Sequence, residues 1–221
     1  MLIRLDERLT AVAALVDYGS VADVGCDHGK LGFYLLGTER ANSVIATDIS
    51  EGSLSKARQL AFENDLQMQT RLGDGLEPIE DGEVDTVVIA GLGGDVISDI
   101  LARARGENKC FKHFVLSPNT HAEKVRRELV AQEHRIAYDN VVECAGKRYT
   151  VIKTDIGKSE LDEYQLEFGA FYKDNERILS YIAEELEYKQ GILALHSSPA
   201  LESRVELLKK ALDNARSENE D

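Results

Sequence analysis

Apolar positions set the rhythm of this chain. Ile3, Leu5, Leu9, Val12, Ala13 and Val16 recur at helical spacing, so residues 3–17 read as an amphipathic helix ended by Gly19. SVADVG then makes a short buried strand, and residues 29–36 a helix. Residues 42–48 form a second strand, Ser50 caps a helix to about residue 64, and residues 67–72 form a weaker third strand. The continuous apolar run at 84–91 suits a strand buried on both faces. Residues 95–105 are helical, 111–116 a fifth strand, and 120–132 a helix with Lys124, Arg126 and Arg127 on its surface. Two last strands, about 135–143 and 148–154, are joined by the turn AGK, and so short a connection requires antiparallel pairing.

Strands and helices alternate five times. That pattern predicts an α/β fold with a doubly wound, mostly parallel sheet ending in an antiparallel hairpin. Beyond residue 155 the pattern changes. GKSELDEY reads as a polar linker, followed by Leu179, Ile182, Leu186 and Leu193 on one helix. HSSP breaks that helix, with Ser198 as cap and Pro199 at the first helical position. Leu201, Val205, Leu208 and Leu212 mark a second helix, and NARSENED a frayed tail. Two domains are expected, 1–156 and 157–221, the second an antiparallel helical hairpin. Its heptads can close on each other in a monomer or on a partner.

Charge and composition narrow the classes. No run of eighteen apolar residues exists, and the first residues are charged too early for a secretory signal. Cys26, Cys110 and Cys144 form no C-x-x-C pair, so reduced thiols are expected and a zinc site is not. A net charge of −14 is unusual for a nucleic-acid binder. Lys109, Lys112, Lys124, Arg126, Arg127, Arg135, Lys147 and Arg148 nonetheless share one region. They make either a local basic face or scattered solvated charge.

The candidate chemistry lies at the strand ends. In open α/β sheets ligands bind beyond the carboxyl ends of the strands, at the switch in strand order. Asp23, Gly25 and Asp27 follow the first strand, Asp48 and Ile49 the second, Gly73-Asp74-Gly75 the third, and Ala90, Gly91 and Gly93 the fourth. A dinucleotide loop reads G-x-G-x-x-G, but Asp27 replaces its second glycine. Asp23 and Asp27 repel a diphosphate and favour S-adenosyl-L-methionine, which carries a sulfonium, an ammonium and one carboxylate. Asp48 can accept from ribose hydroxyls and Asp74 from the adenine amino group. Each acid alone could equally cap a helix.

Read in order, DVGCDHGKLG, GDG, IAGLGG, LSPNTHAEKVRREL and GKRYTVI resemble the bacterial tRNA (adenine-22-N1)-methyltransferases over nearly the full length. The resemblance implies a Rossmann-like class I methyltransferase domain with a coiled-coil-like tail, a cytoplasmic enzyme, and tRNA as partner without membrane or metal. It places Asp27 and His28 near the transferred methyl, Asn119 against the acceptor, and Arg8 on the cofactor carboxylate. Lys30, Asn119, Lys124, Arg126 and Arg127 are expected to meet the RNA. Two positions depart from the family. Lys30 stands where an aromatic is usual, and Ser117 where a glutamine is usual. Both are acceptor-side changes, which keeps other acceptors open. An Asn/Asp-Pro-Pro-aromatic motif is missing at AGLGG, which argues against exocyclic-amino methylation of adenine. A nicotinamide oxidoreductase and a non-catalytic binding module are the remaining alternatives.

Overall fold

The computed structural model describes residues 3–196 and 198–217. The chain divides into two compact units, Met1–Glu160 and Leu161–Asp221.

The first unit opens with α1 (Glu7–Leu15) and β1 (Gly19–Val24). The helix starts later than its apolar spacing suggests, because Asp6 caps it by accepting the Leu9 N–H at 2.7 Å. Then follow α2 (Lys30–Gly37), β2 (Ala41–Asp48), α3 (Glu51–Phe62), β3 (Gln69–Leu72) and β4 (Thr86–Ala90). The unit finishes with α4 (Gly94–Gly106), β5 (His113–Ser117), α5 (Ala122–Ala131), β6 (His134–Cys144) and β7 (Lys147–Ile156).

The seven strands lie in the order β3-β2-β1-β4-β5-β7-β6. Strands β1 to β5 are parallel, and β7 runs antiparallel to both β5 and β6. The order reverses between β1 and β4. Crossovers are right-handed, so α2 and α4 cover opposite faces and a crevice opens above the reversal. Val88, Val115 and Val151 share one core with Val12, Val16, Leu31 and Leu35 from α1 and α2. The alternate residues Val87 and Ile89 are equally buried, as a strand covered on both faces requires.

The β6–β7 hairpin reaches past the sheet. Leu116 of β5 pairs with Ile152. Residues 147–150 therefore run beyond the end of β5, about 13 Å of ribbon at strand rise. The loop at its tip is Ala145-Gly146, both at positive φ (50° and 73°), the conformation of a type I′ hairpin turn.

The second unit differs from its expected form. Residues 157–162 of the expected linker are irregular, and its last two residues begin a capped helix, α6 (Glu163–Phe168), with a reciprocal capping box between Asp162 and Gln165. A 3₁₀ turn (Tyr172–Asp174) and two long helices follow, α7 (Glu176–Leu193) and α8 (Pro199–Ser217). The fully buried Tyr172 accepts a hydrogen bond from Asn214 at its hydroxyl, 3.2 Å. Ile178 and Ile182 are the buried residues of α7, one register away from part of the expected stripe. Ser198 does cap α8, accepting the Leu201 N–H at 3.3 Å. Ser197 and the last four residues of the expected frayed tail lie outside the described residues.

Candidate active site

A cavity of about 500 Å³ opens at the carboxyl ends of β1, β2, β3 and β4. Asp27, Asp48 and Asp74 line it with a single cation, Arg8. Gly25, Ile49, Gly73, Gly75, Ala90 and Gly91 also line it as expected, whereas Gly93 stays outside the lining as the N-cap of α4. Val24, Leu92, Val96 and Ile100 add an apolar lining that sequence reasoning missed. The i, i+4 spacing of Val96 and Ile100 on α4 was the available signal. Ile49 and Val96 are exposed despite their size.

The first loop is poorly suited to cradle a diphosphate. Such a site needs free backbone N–H groups. Here Gly25 and Cys26 both donate to the Thr47 carbonyl, at 2.8 and 3.0 Å, and Gly29 donates to Cys26. Asp27 donates its N–H to Asp48 Oδ2 at 3.0 Å. Asp48 also accepts from the Ser50 N–H, 2.9 Å, so both its oxygens are fixed in place. Each carboxylate oxygen keeps further lone-pair capacity for a hydroxyl donor. Asp27 itself adopts a left-handed conformation, φ 49°, that presents its exposed carboxylate beside the cavity.

Among the described residues lining the cavity, Arg8 carries an unmet demand. Its Nη1 is buried without a hydrogen-bond partner among the described residues. Buried polar groups of this kind are rare, and a charged one is costly. The guanidinium lies near Gly91, where a Cβ would come within 3.3 Å of Nη1 and φ is 99°. Only glycine suits that position. A small ligand with a carboxylate and a separate positive charge satisfies both Arg8 and the three aspartates. S-adenosyl-L-methionine has that charge pattern, and the residues present fit it.

Other expected contacts sit elsewhere. Asp23 is buried beneath the loop and accepts the Gly32 N–H at 3.2 Å. Alternation along β1 turns it toward α2 and away from the cavity lining. Burial, with the like charge of Asp48, pushes its carboxyl up to about 6. His28 also stays outside the lining, and its Nε2 meets the Lys56 ammonium at 2.9 Å. Asp74 lines the cavity but already holds Arg103 at 2.6 Å, which keeps its carboxyl below the usual range. Asn119 donates to the Gly91 carbonyl at 2.6 Å, tying the loop after β5 to the loop after β4. It does not cap α5, whose N-cap is His121.

Two acceptor-side expectations, Arg126 and Ser117, are corrected. Arg126 is buried, not on the surface, and forms an ion pair with Asp139 of β6, Nε to Oδ2 2.6 Å. Ser117 is fully buried at the end of β5, so it cannot touch an acceptor. Lys124 is exposed, as expected, and pairs with Asp95. Lys30 and Arg127 are exposed, Lys30 in the first turn of α2.

Residues 5–152 match the family described as "Methyltransferase domain". The "tRNA (adenine(22)-N(1))-methyltransferase" of Bacillus subtilis is 30% identical over 234 residues, covering 96% of this chain and 98% of that one. The chain belongs to this methyltransferase family. Solved structures share the family outline. Streptococcus pneumoniae Sp1610, in complex with S-adenosyl-L-methionine, superposes with a TM-score of 0.84 at 26% identity, covering 95% of this chain and 100% of its own. Mycoplasma capricolum TrmK, in complex with S-adenosyl-homocysteine, gives 0.84 at 25% identity, with 96% and 99% covered. The family membership agrees with the strand order and with the engaged amides of Gly25, Cys26, Asp27 and Gly29.

Proposed function

We infer that this chain transfers a methyl group from S-adenosyl-L-methionine to N1 of adenine 22 in tRNA, in the cytoplasm. The single observation that carries the cofactor reading is the buried Arg8 Nη1, without a hydrogen-bond partner among the described residues, in a cavity whose other charged lining residues are aspartates. Similarity over almost the whole chain to the B. subtilis tRNA enzyme supports the acceptor. No helix among the described residues is long and apolar enough to cross a membrane.

When bound, the cofactor supplies an electrophilic methyl on a sulfonium. The chain's own task is to hold and orient. Arg8 pairs the carboxylate. Asp48 accepts from ribose hydroxyls. Ile49 and Val96 flank a flat ring, with Asp74 placed to accept from its amino group. Adenine N1 has an in-plane lone pair and no proton, so no general base is required. Orienting the reactants accounts for roughly 7–11 kcal/mol of barrier in such reactions. Asp27 at the mouth stabilises the positive charge that develops on the methylated base. The target base leaves its stack to enter. Asn119 keeps the two loops of the acceptor side in register, and Lys30 meets RNA phosphate.

The decisive experiment incubates the purified protein with S-adenosyl-L-methionine and unmodified tRNA, then maps 1-methyladenosine by mass spectrometry. Methylation confined to position 22 is expected. Methylation of another nucleotide, or none with cofactor bound, overturns the acceptor assignment. Arg8→Ala should weaken cofactor binding by roughly tenfold or more, as expected when a charge-assisted pair is lost. Equal affinity by calorimetry would remove Arg8 from the site.

A further inference from the structure

We propose that Tyr149, on the protruding β6–β7 hairpin, is the positioning residue that aims Arg8 at the cofactor carboxylate. The inference rests on the cofactor reading above and adds a residue from a strand outside the cavity lining. The Arg8 guanidinium lies over the Tyr149 ring, 5.2 Å from Cζ to the centroid. A cation over an aromatic face is held by the ring quadrupole, most strongly where water is excluded. Part of the guanidinium is withdrawn from water here, since Arg8 Nη1 is buried.

Geometry explains why the hairpin must protrude. Arg8 belongs to the first turns of α1, which packs against β6 and β7. If β7 began level with the end of β5, nothing would cover the guanidinium from that side. The overhang of residues 147–150 carries Tyr149 to the end of the sheet where the cavity opens. Val142, directly opposite Tyr149 in the hairpin, packs with the α1 core and fixes that face of the ribbon toward the helix. Cys144, two residues on and so on the same face, meets Glu7 Oε2 at 3.3 Å. The ribbon is thus anchored to α1 on both sides of Tyr149. A long, flexible arginine is left with a flat support on one side and the Gly91 backbone on the other. No hydrogen bond is needed from the support, so all of its orientation is delivered to the ligand.

The test uses the full-length chain and two ligands differing by one group, S-adenosyl-L-methionine and its decarboxylated form. Tyr149→Leu should weaken binding of the first by about 2- to 30-fold, the range of cation–π contributions. Binding of the decarboxylated ligand should stay unchanged, and Tyr149→Phe should behave as wild type. Arg8→Lys, which keeps the charge but not the flat face, should lose the same discrimination in a chain with Tyr149 intact. It keeps the test open if the leucine variant does not fold. Unchanged affinity in Tyr149→Leu, equal weakening for both ligands, or a phenylalanine variant as weak as leucine would each overturn the proposal. Failure of the wild type to bind either ligand would instead sink the cofactor reading itself.

Discussion

Asp23 illustrates a side chain that works against its own fold at neutral pH. In an unfolded chain its carboxyl titrates near 3.9. In the buried site it titrates at about 6. Between those values the folded protein keeps a proton that the unfolded chain has released, so stability falls as pH rises through the window and levels off above it. Asp23→Asn still accepts the Gly32 N–H but cannot ionise. Its unfolding free energy should gain on wild type between pH 4 and pH 7, the gap approaching about 3 kcal/mol. Parallel pH profiles for both chains would disprove it. The same negative surroundings act on Cys26, whose thiol is pushed up to about 12 by burial and the nearby aspartates. A thiolate is the reactive form. Iodoacetamide at pH 8 should therefore label the exposed Cys110 well before Cys26, as peptide mapping would show. Arg126 makes the third case. Breaking its buried pair with Asp139 by Arg126→Ala should cost about 3–5 kcal/mol in urea unfolding, and the double change Arg126→Met with Asp139→Leu should recover most of that.

Between elements, the closest approach near the site joins α4 to the loop after β5. A Cβ on Gly94 would fall 2.3 Å from the His121 carbonyl oxygen and 2.4 Å from that of Thr120. Gly94→Ala should lower stability by about 1–3 kcal/mol, as overpacking does. It should also slow methyl transfer by lifting Asn119 from Gly91; an alanine variant with wild-type rate and urea midpoint would refute this. For Gly94, the last glycine of AGLGG, the reason for a missing side chain is a neighbouring backbone. The parallel strands were legible because they are continuous apolar runs between glycines and acids. The insertion of β7 between β5 and β6 was not, since nothing local records which hairpin strand pairs inward. The burial of Arg126 was legible and misread: Ala122, Val125, Arg126 and Leu129 follow the i, i+3, i+4, i+7 spacing of one helix face. Charge was taken to mean solvent. Tyr149 left no signal, because its partner lies 141 positions earlier in the chain.

For the molecule as a whole, the carboxylates that deter a phosphate ligand also set the cost of holding RNA at a net charge of −14. Lys30→Ala should reduce the slope of log affinity for tRNA against log salt by about one, the signature of a single phosphate contact. An unchanged slope would move Lys30 off the RNA path. Every residue assigned to the cofactor falls in the first unit, Met1–Glu160. A chain cut after residue 160 should unfold cooperatively and bind S-adenosyl-L-methionine with unchanged affinity in calorimetry; loss of binding would tie the cofactor site to the second unit. The solitary guanidinium of Arg8 has one more consequence, a trade-off between function and endurance. Arg8→Met removes a desolvated charge that the ligand-free fold has to carry, so the variant should melt higher than wild type without cofactor. With cofactor at saturating concentration the order should reverse, since ligand binding stabilises only the chain that holds it. Two melting curves that exchange places on adding one ligand would mark a residue kept for binding at the fold's expense.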